Sequence, residues 1–167
     1  EPYRRQRQMC IRDRNSTERK NKMEIDVQFD PPRATAQEKK YTARNGKVVV
    51  YESVQAKTAK QILRLVLAPH KPRGAMTSAV ALDVLWRFPY KGSAHYDGEY
   101  KQTRPDTDNL DKALKDVMTE LGFWTDDALV AREHIAKIWH RAKPGLFIRI
   151  SPITDTKLTK IQEQEWQ

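Results

Sequence analysis

The sequence predicts an α/β fold of the α+β type, in which a mixed β-sheet is flanked by helices. Three observations predict it. Apolar and polar residues alternate in three separate segments, the pattern of strands with one buried face. Two other segments repeat their apolar residues at helical spacing. The length of 167 residues is that of one ordinary domain with a real core.

The first strand is MEIDVQF, with Ile25, Val27 and Phe29 on one face and Glu24, Asp26 and Gln28 on the other. Pro31 and Pro32 end it. Asn45-Gly46 is a turn signal, and residues 48–51 form a short strand after it. Ser53 suits the N-cap of a helix reaching about Ala68, with Ile62, Leu63, Val66 and Leu67 as its core stripe. Pro69, Pro72 and Gly74 stop that helix.

Residues 79–88 make the strongest strand. Val80, Leu82, Val84, Trp86 and Phe88 share one face, and Leu85 on the other places the strand inside the sheet. Asp83 also projects from that second face, as a satisfied polar residue or an extra metal ligand. Residues 89–104 are a polar loop containing His95, to which the sequence assigns no role. A second helix follows and stops at Gly122. The last two strands, 129–139 and 146–150, flank Lys143-Pro144-Gly145 and are expected to pair as a hairpin.

Residues 1–22 have neither periodicity and read as a disordered or non-native extension. The domain itself spans 23–153, and 154–167 form a polar C-terminal tail. The formal charge is +9, but the extension alone carries +5, from eight basic and three acidic residues. The remainder is compatible with phosphate binding without demonstrating it. No apolar run approaches the ~20 residues needed to span a bilayer. The single cysteine, Cys10, excludes an internal disulfide framework and a multi-cysteine zinc site. The expectation is a cytoplasmic protein without a membrane partner.

The chemistry concentrates in residues 104–127, RPDTDNLDKALKDVMTELGFWTDD. Asp106 and Asp108 are one residue apart. In extended backbone they point to one side, and carboxylates that close repel unless a cation lies between them or one is protonated. Hard oxygen donors of this kind suit Mg²⁺, with Mn²⁺ as a substitute. On a helical projection Leu110, Ala113, Leu114, Val117, Met118 and Leu121 form the buried arc, which leaves Asp108, Lys112 and Lys115 on the open face. The spacing also fits a plainer reading, with Asp108 only an N-cap, Lys112 its surface partner, and Asp126-Asp127 turn residues.

The whole stretch closely resembles the signature of the RusA family of Holliday-junction resolvases: an aspartate pair, Asn-Leu, a lysine, a helix, an aromatic turn and Asp-Asp. The similarity extends over most of residues 23–150, including the PPR and GKVVVY segments and Pro144-Gly145. It implies that Asp106, Asp108 and Asp127 bind metal and are needed for cleavage, with Asp126 a weaker candidate. Lys112 matches a lysine needed for activity, and Asn109 a supporting position that orients a carboxylate. It further implies a RusA-like homodimer, with one active site per subunit cutting symmetric strands of a four-way DNA junction. Arg33, Lys39, Lys40, Arg44, Lys101 and Arg104 are candidate contacts to the DNA backbone. A junction- or fork-binding module with weak or no cleavage is the alternative. A protein unrelated to nucleic acid, whose acidic pair only caps a helix, is a third reading.

Overall fold

A computed structural model of the chain describes residues 22–33, 39–44 and 47–154. The strands are β1 (Met23–Gln28), β2 (Lys39–Arg44), β3 (Lys47–Glu52), β4 (Val80–Phe88), β5 (Val130–Trp139) and β6 (Gly145–Pro152). The helices are α1 (Val54–Leu67) and α2 (Thr107–Leu121). Four strands form a mixed sheet in the order β1-β6-β4-β5, while β2 and β3 pair separately as an antiparallel ribbon. The class is therefore α+β, as expected. The expected turn at Asn45-Gly46, residues 1–21 and residues 155–167 lie outside the described residues.

One pairing differs from expectation. β5 and β6 do not form a hairpin, because β4 lies between them: β5 pairs parallel with β4, and β6 pairs antiparallel with both β4 and β1. The physical reason is that β4 is buried along most of its length, so its backbone donors and acceptors need strand partners at both edges. A Pro-Gly turn reverses the chain without requiring its two arms to be adjacent.

Even-numbered residues of β4 face the helices. Val80, Leu82, Val84, Trp86 and Phe88 are buried against Leu63 and Leu67 of α1 and Leu110, Leu114, Val117 and Met118 of α2. Burying each large apolar side chain stabilises the fold by roughly 1.5–3 kcal/mol, so truncating Leu114 to alanine would cost ~2–5 kcal/mol. Ser53 caps α1, its hydroxyl accepting from the Ala56 amide at 3.1 Å. Gly122 ends α2 in the left-handed region, at φ 80°.

The opposite face of the sheet is more polar. Arg87 of β4 is buried there and forms a two-point ion pair with Asp26 of β1, its Nη1 reaching Oδ2 at 3.4 Å and its Nη2 donating to Oδ1. Asp83 lies 3.7 Å from Arg149, the satisfied polar role expected for it. Gly145 sits so close to β1 that an added Cβ would stand 2.0 Å from the Val27 carbonyl oxygen, so no other residue fits.

Parallel pairing of β4 with β5 makes β4-α2-β5 a crossover unit. The start of α2 consequently lies near the C-terminal ends of both strands. The end of α2 lies near their N-terminal ends, where Trp124 bridges Met76.

Candidate active site

The loop after β4 returns along the free edge of β5 before α2 begins. Trp139 exchanges hydrogen bonds with this loop, its amide donating to Glu99 O at 2.8 Å and its carbonyl accepting from Gly98 N at 2.9 Å. The Lys101 amide adds a bond to Lys137 O at 2.9 Å. Two lysines then hold the last residues before the helix. Lys101 Nζ donates to Thr103 O at 3.1 Å, to Arg104 O at 2.6 Å and to the Thr103 hydroxyl. Lys137 Nζ donates to Thr103 O at 2.8 Å and Pro105 O at 2.6 Å. The Arg104-Pro105 peptide within this segment is cis.

Asp106 follows as the N-cap residue of α2, with extended backbone, yet its side chain makes no capping hydrogen bond. The helix starts at Thr107, so Asp108 is its second residue rather than its cap. This removes the N-cap explanation for Asp108. It also alters the expected geometry, because the Asp106–Asp108 segment passes from extended to helical instead of remaining extended throughout. Both carboxylates are exposed, and neither has a hydrogen-bond or ion-pair partner among the described residues. Lys112, one turn further along, is likewise exposed and unpaired among them.

Lys115 departs from the expected open face. Its ammonium group turns toward β5, pairing with Asp111 at 2.8 Å and Glu133 at 2.9 Å. Asp111 is only 3 % exposed. Burial pushes its carboxyl up to about 6, against the opposing pull of Lys115. Asn109 is also buried, and its Oδ1 has no partner. No hydrogen bond from it reaches Asp106 or Asp108 among the described residues, so the orienting role expected for Asn109 has no contact to support it here.

The other acidic pair lies at the far end of the helix. Asp126 is committed to a turn, its Oδ1 accepting from the Ala128 amide at 2.8 Å. Asp127 is exposed and has no partner among the described residues. The 15 residues of α2 rise roughly 22 Å, so one chain does not bring Asp127 to Asp106 and Asp108. Accordingly, no three acidic, histidine or cysteine side chains are gathered to hold one metal ion among the described residues.

The donor chemistry at the start of α2 nevertheless fits a hard divalent cation. Two carboxylates stand exposed and uncommitted at the positive end of a helix, with the nearby Lys101 and Lys137 ammonium groups hydrogen-bonded to carbonyl and hydroxyl oxygens rather than paired with them.

Beside them opens a cleft of about 840 Å³ at the C-terminal ends of β4 and β5. Of the six cations expected to contact DNA, Arg33, Lys101 and Arg104 come together in its lining, joined by Lys91. The side chains of Lys39, Lys40 and Arg44 lie outside the described residues. Burial, together with the like charges of Lys137 and Arg33, pushes the Lys101 ammonium below the usual lysine value. Sequence reasoning missed Lys137 and Lys91. The legible signal for Lys137 was a lysine on the same strand face as Ile135 and Trp139.

Comparison with known proteins identifies the family. The profile of the family described as Endodeoxyribonuclease RusA matches residues 30–151. A protein of Lactococcus phage r1t named crossover junction endodeoxyribonuclease rusA is 30 % identical over 124 residues, covering 73 % of this chain and 87 % of the phage protein. The uncharacterized protein YqaN of Bacillus subtilis (strain 168) is 30 % identical over 106 residues, covering 58 % of this chain and 74 % of that one.

Proposed function

This chain belongs to the RusA family of endodeoxyribonucleases, and on that premise we propose that it is a divalent-metal-dependent endonuclease that resolves four-way DNA junctions by paired symmetric incisions. The observation that carries the reading is the state of Asp106 and Asp108. Both are exposed at the head of α2, and neither is used for capping or ion pairing among the described residues. These two are available to a ligand.

Asp106 and Asp108 would hold Mg²⁺ or Mn²⁺. When bound, such an ion supplies Lewis-acid stabilisation of the charge that builds on a phosphodiester during hydrolysis. The chain's own groups do the rest. Lys101 and Lys137 fix the backbone from Thr103 to Pro105, which sets where the two carboxylates stand. Lys112, exposed one turn beyond Asp108, would donate to a non-bridging or leaving oxygen of the phosphate. Arg33, Lys91 and Arg104 attract the DNA backbone toward the same end of the helix.

Asp127 enters this scheme only through a homodimer. Its distance from Asp106 along α2 means that, if it serves a metal, it serves the site of a second copy. Two-fold pairing of chains would then supply two such sites, as paired incision requires.

The test is to replace Asp106 or Asp108 by asparagine and to measure junction binding and cleavage separately. Retained binding with cleavage reduced below detection supports the assignment. Undiminished cleavage by either variant refutes it.

A further inference from the structure

The cleft beside the carboxylates contains more than charge. Trp139 forms part of its lining, and His95 stacks on it, with ring centroids 4.4 Å apart and planes 18° from parallel. Tyr90 meets His95 edge-on, with centroids 6.2 Å apart. Lys101 Nζ stands 4.5 Å from the centre of the Trp139 ring and 5.2 Å from that of Phe88. The His95 ring is held from the side, Nδ1 lying 3.1 Å from Glu99 Oε2. Its side chain remains 33 % exposed.

The cations of the cleft are unneutralised. Arg33, Lys91, Lys101 and Arg104 form no ion pair among the described residues, and Asp30 is the one carboxylate in the lining. A cleft for a neutral metabolite would not collect four such charges. A cleft for phosphate alone would not need a stacked aromatic ledge. Aromatic faces set among backbone-attracting cations are the arrangement that single-stranded nucleic acid recognises, because bases stack while phosphates neutralise charge.

We infer that this cleft takes one unpaired nucleotide of the DNA, its base stacked on His95 and its phosphates drawn to Arg33, Lys91 and Arg104. The inference rests on the nuclease reading for its biological substrate, but not for its test. It adds a requirement that the carboxylates alone do not impose. A strand delivered to Asp106 and Asp108 must yield a base from its stack, which branched DNA does at lower cost than intact duplex.

The experiment uses the full chain without divalent metal, at low salt. Fluorescence anisotropy compares its affinity for a labelled thymidine tetranucleotide with that for an abasic tetranucleotide of equal phosphate number. The wild-type chain should bind the thymidine oligomer about tenfold more tightly. His95→Ala should lose that advantage while binding the abasic oligomer unchanged, and His95→Phe should restore it. Equal wild-type affinity for the two oligomers would overturn the inference, as would a His95→Ala loss of equal size on both. Junction nicking with Mg²⁺, measured on the same preparation, separates the two readings. Nicking without base discrimination overturns the cleft inference alone. Base discrimination without nicking supports the cleft and counts against the nuclease assignment.

Discussion

Lys137 Nζ donates to the Pro105 carbonyl at 2.6 Å, tying the edge strand β5 to the residue immediately before Asp106. In the proposed mechanism Lys137 therefore acts through the carboxylates rather than on the substrate. Replacing it by methionine keeps the aliphatic stem and removes the two backbone bonds. Junction cleavage should fall by about 10- to 100-fold, the size of effect expected from misplacing catalytic groups by an ångström. Junction affinity and far-UV circular dichroism should change little. A variant that cleaves normally would show that the lysine only decorates the strand.

The separation of Asp127 from Asp106 gives a complementation test. Asp106→Asn and Asp127→Asn variants should each be inactive. If the sites are shared across a dimer, a mixed dimer of the two contains one site with every wild-type aspartate. Mixing equal amounts should then restore nicking to about a quarter of the wild-type rate, given random exchange of subunits. No restoration, with exchange of subunits demonstrated, would mean that Asp127 does not serve the other chain's site.

Asp111 makes a prediction about stability. Its folded carboxyl is raised to about 6 from an ordinary 3.8, chiefly by burial. Between those values the folded state holds the proton more tightly than the unfolded state, so stability falls as pH rises through this window. Lys115 has the same sense at a higher pH: burial lowers its ammonium, but its bonds to Asp111 and Glu133 outweigh that and raise it, so its contribution is lost only as pH rises well above neutral. Near pH 4–6 the Asp111 effect governs, because Lys115 is charged throughout. Relative to Asp111→Asn, the wild-type chain should lose about 1–3 kcal/mol between pH 4 and 7 in urea unfolding. A difference that stays flat or rises across that range would contradict the assignment.

Much of this was legible in the sequence, for identifiable reasons. β4 reads as an interior strand because Val84 and Leu85 are apolar on opposite faces, and Ser53 and Gly122 mark helix ends by local chemistry alone. What escaped depends on distant partners. The Pro144-Gly145 turn reports a reversal, while the insertion of β4 between β5 and β6 depends on which strand is buried deeply enough to need partners at both edges. The Asp-X-Asp spacing suggests extended backbone, but the helix begins at Thr107, between the two carboxylates. His95 carried no signal, because its meaning comes from Trp139, 44 positions away and brought alongside by the loop on the edge of β5.

The most direct measurement is made on the wild-type chain with a labelled four-way junction and a linear duplex of the same sequence, each with and without Mg²⁺. Paired symmetric nicks confined to the junction and dependent on the metal are the expected result. A junction left intact in Mg²⁺, or a duplex cut as readily as the junction, would contradict it.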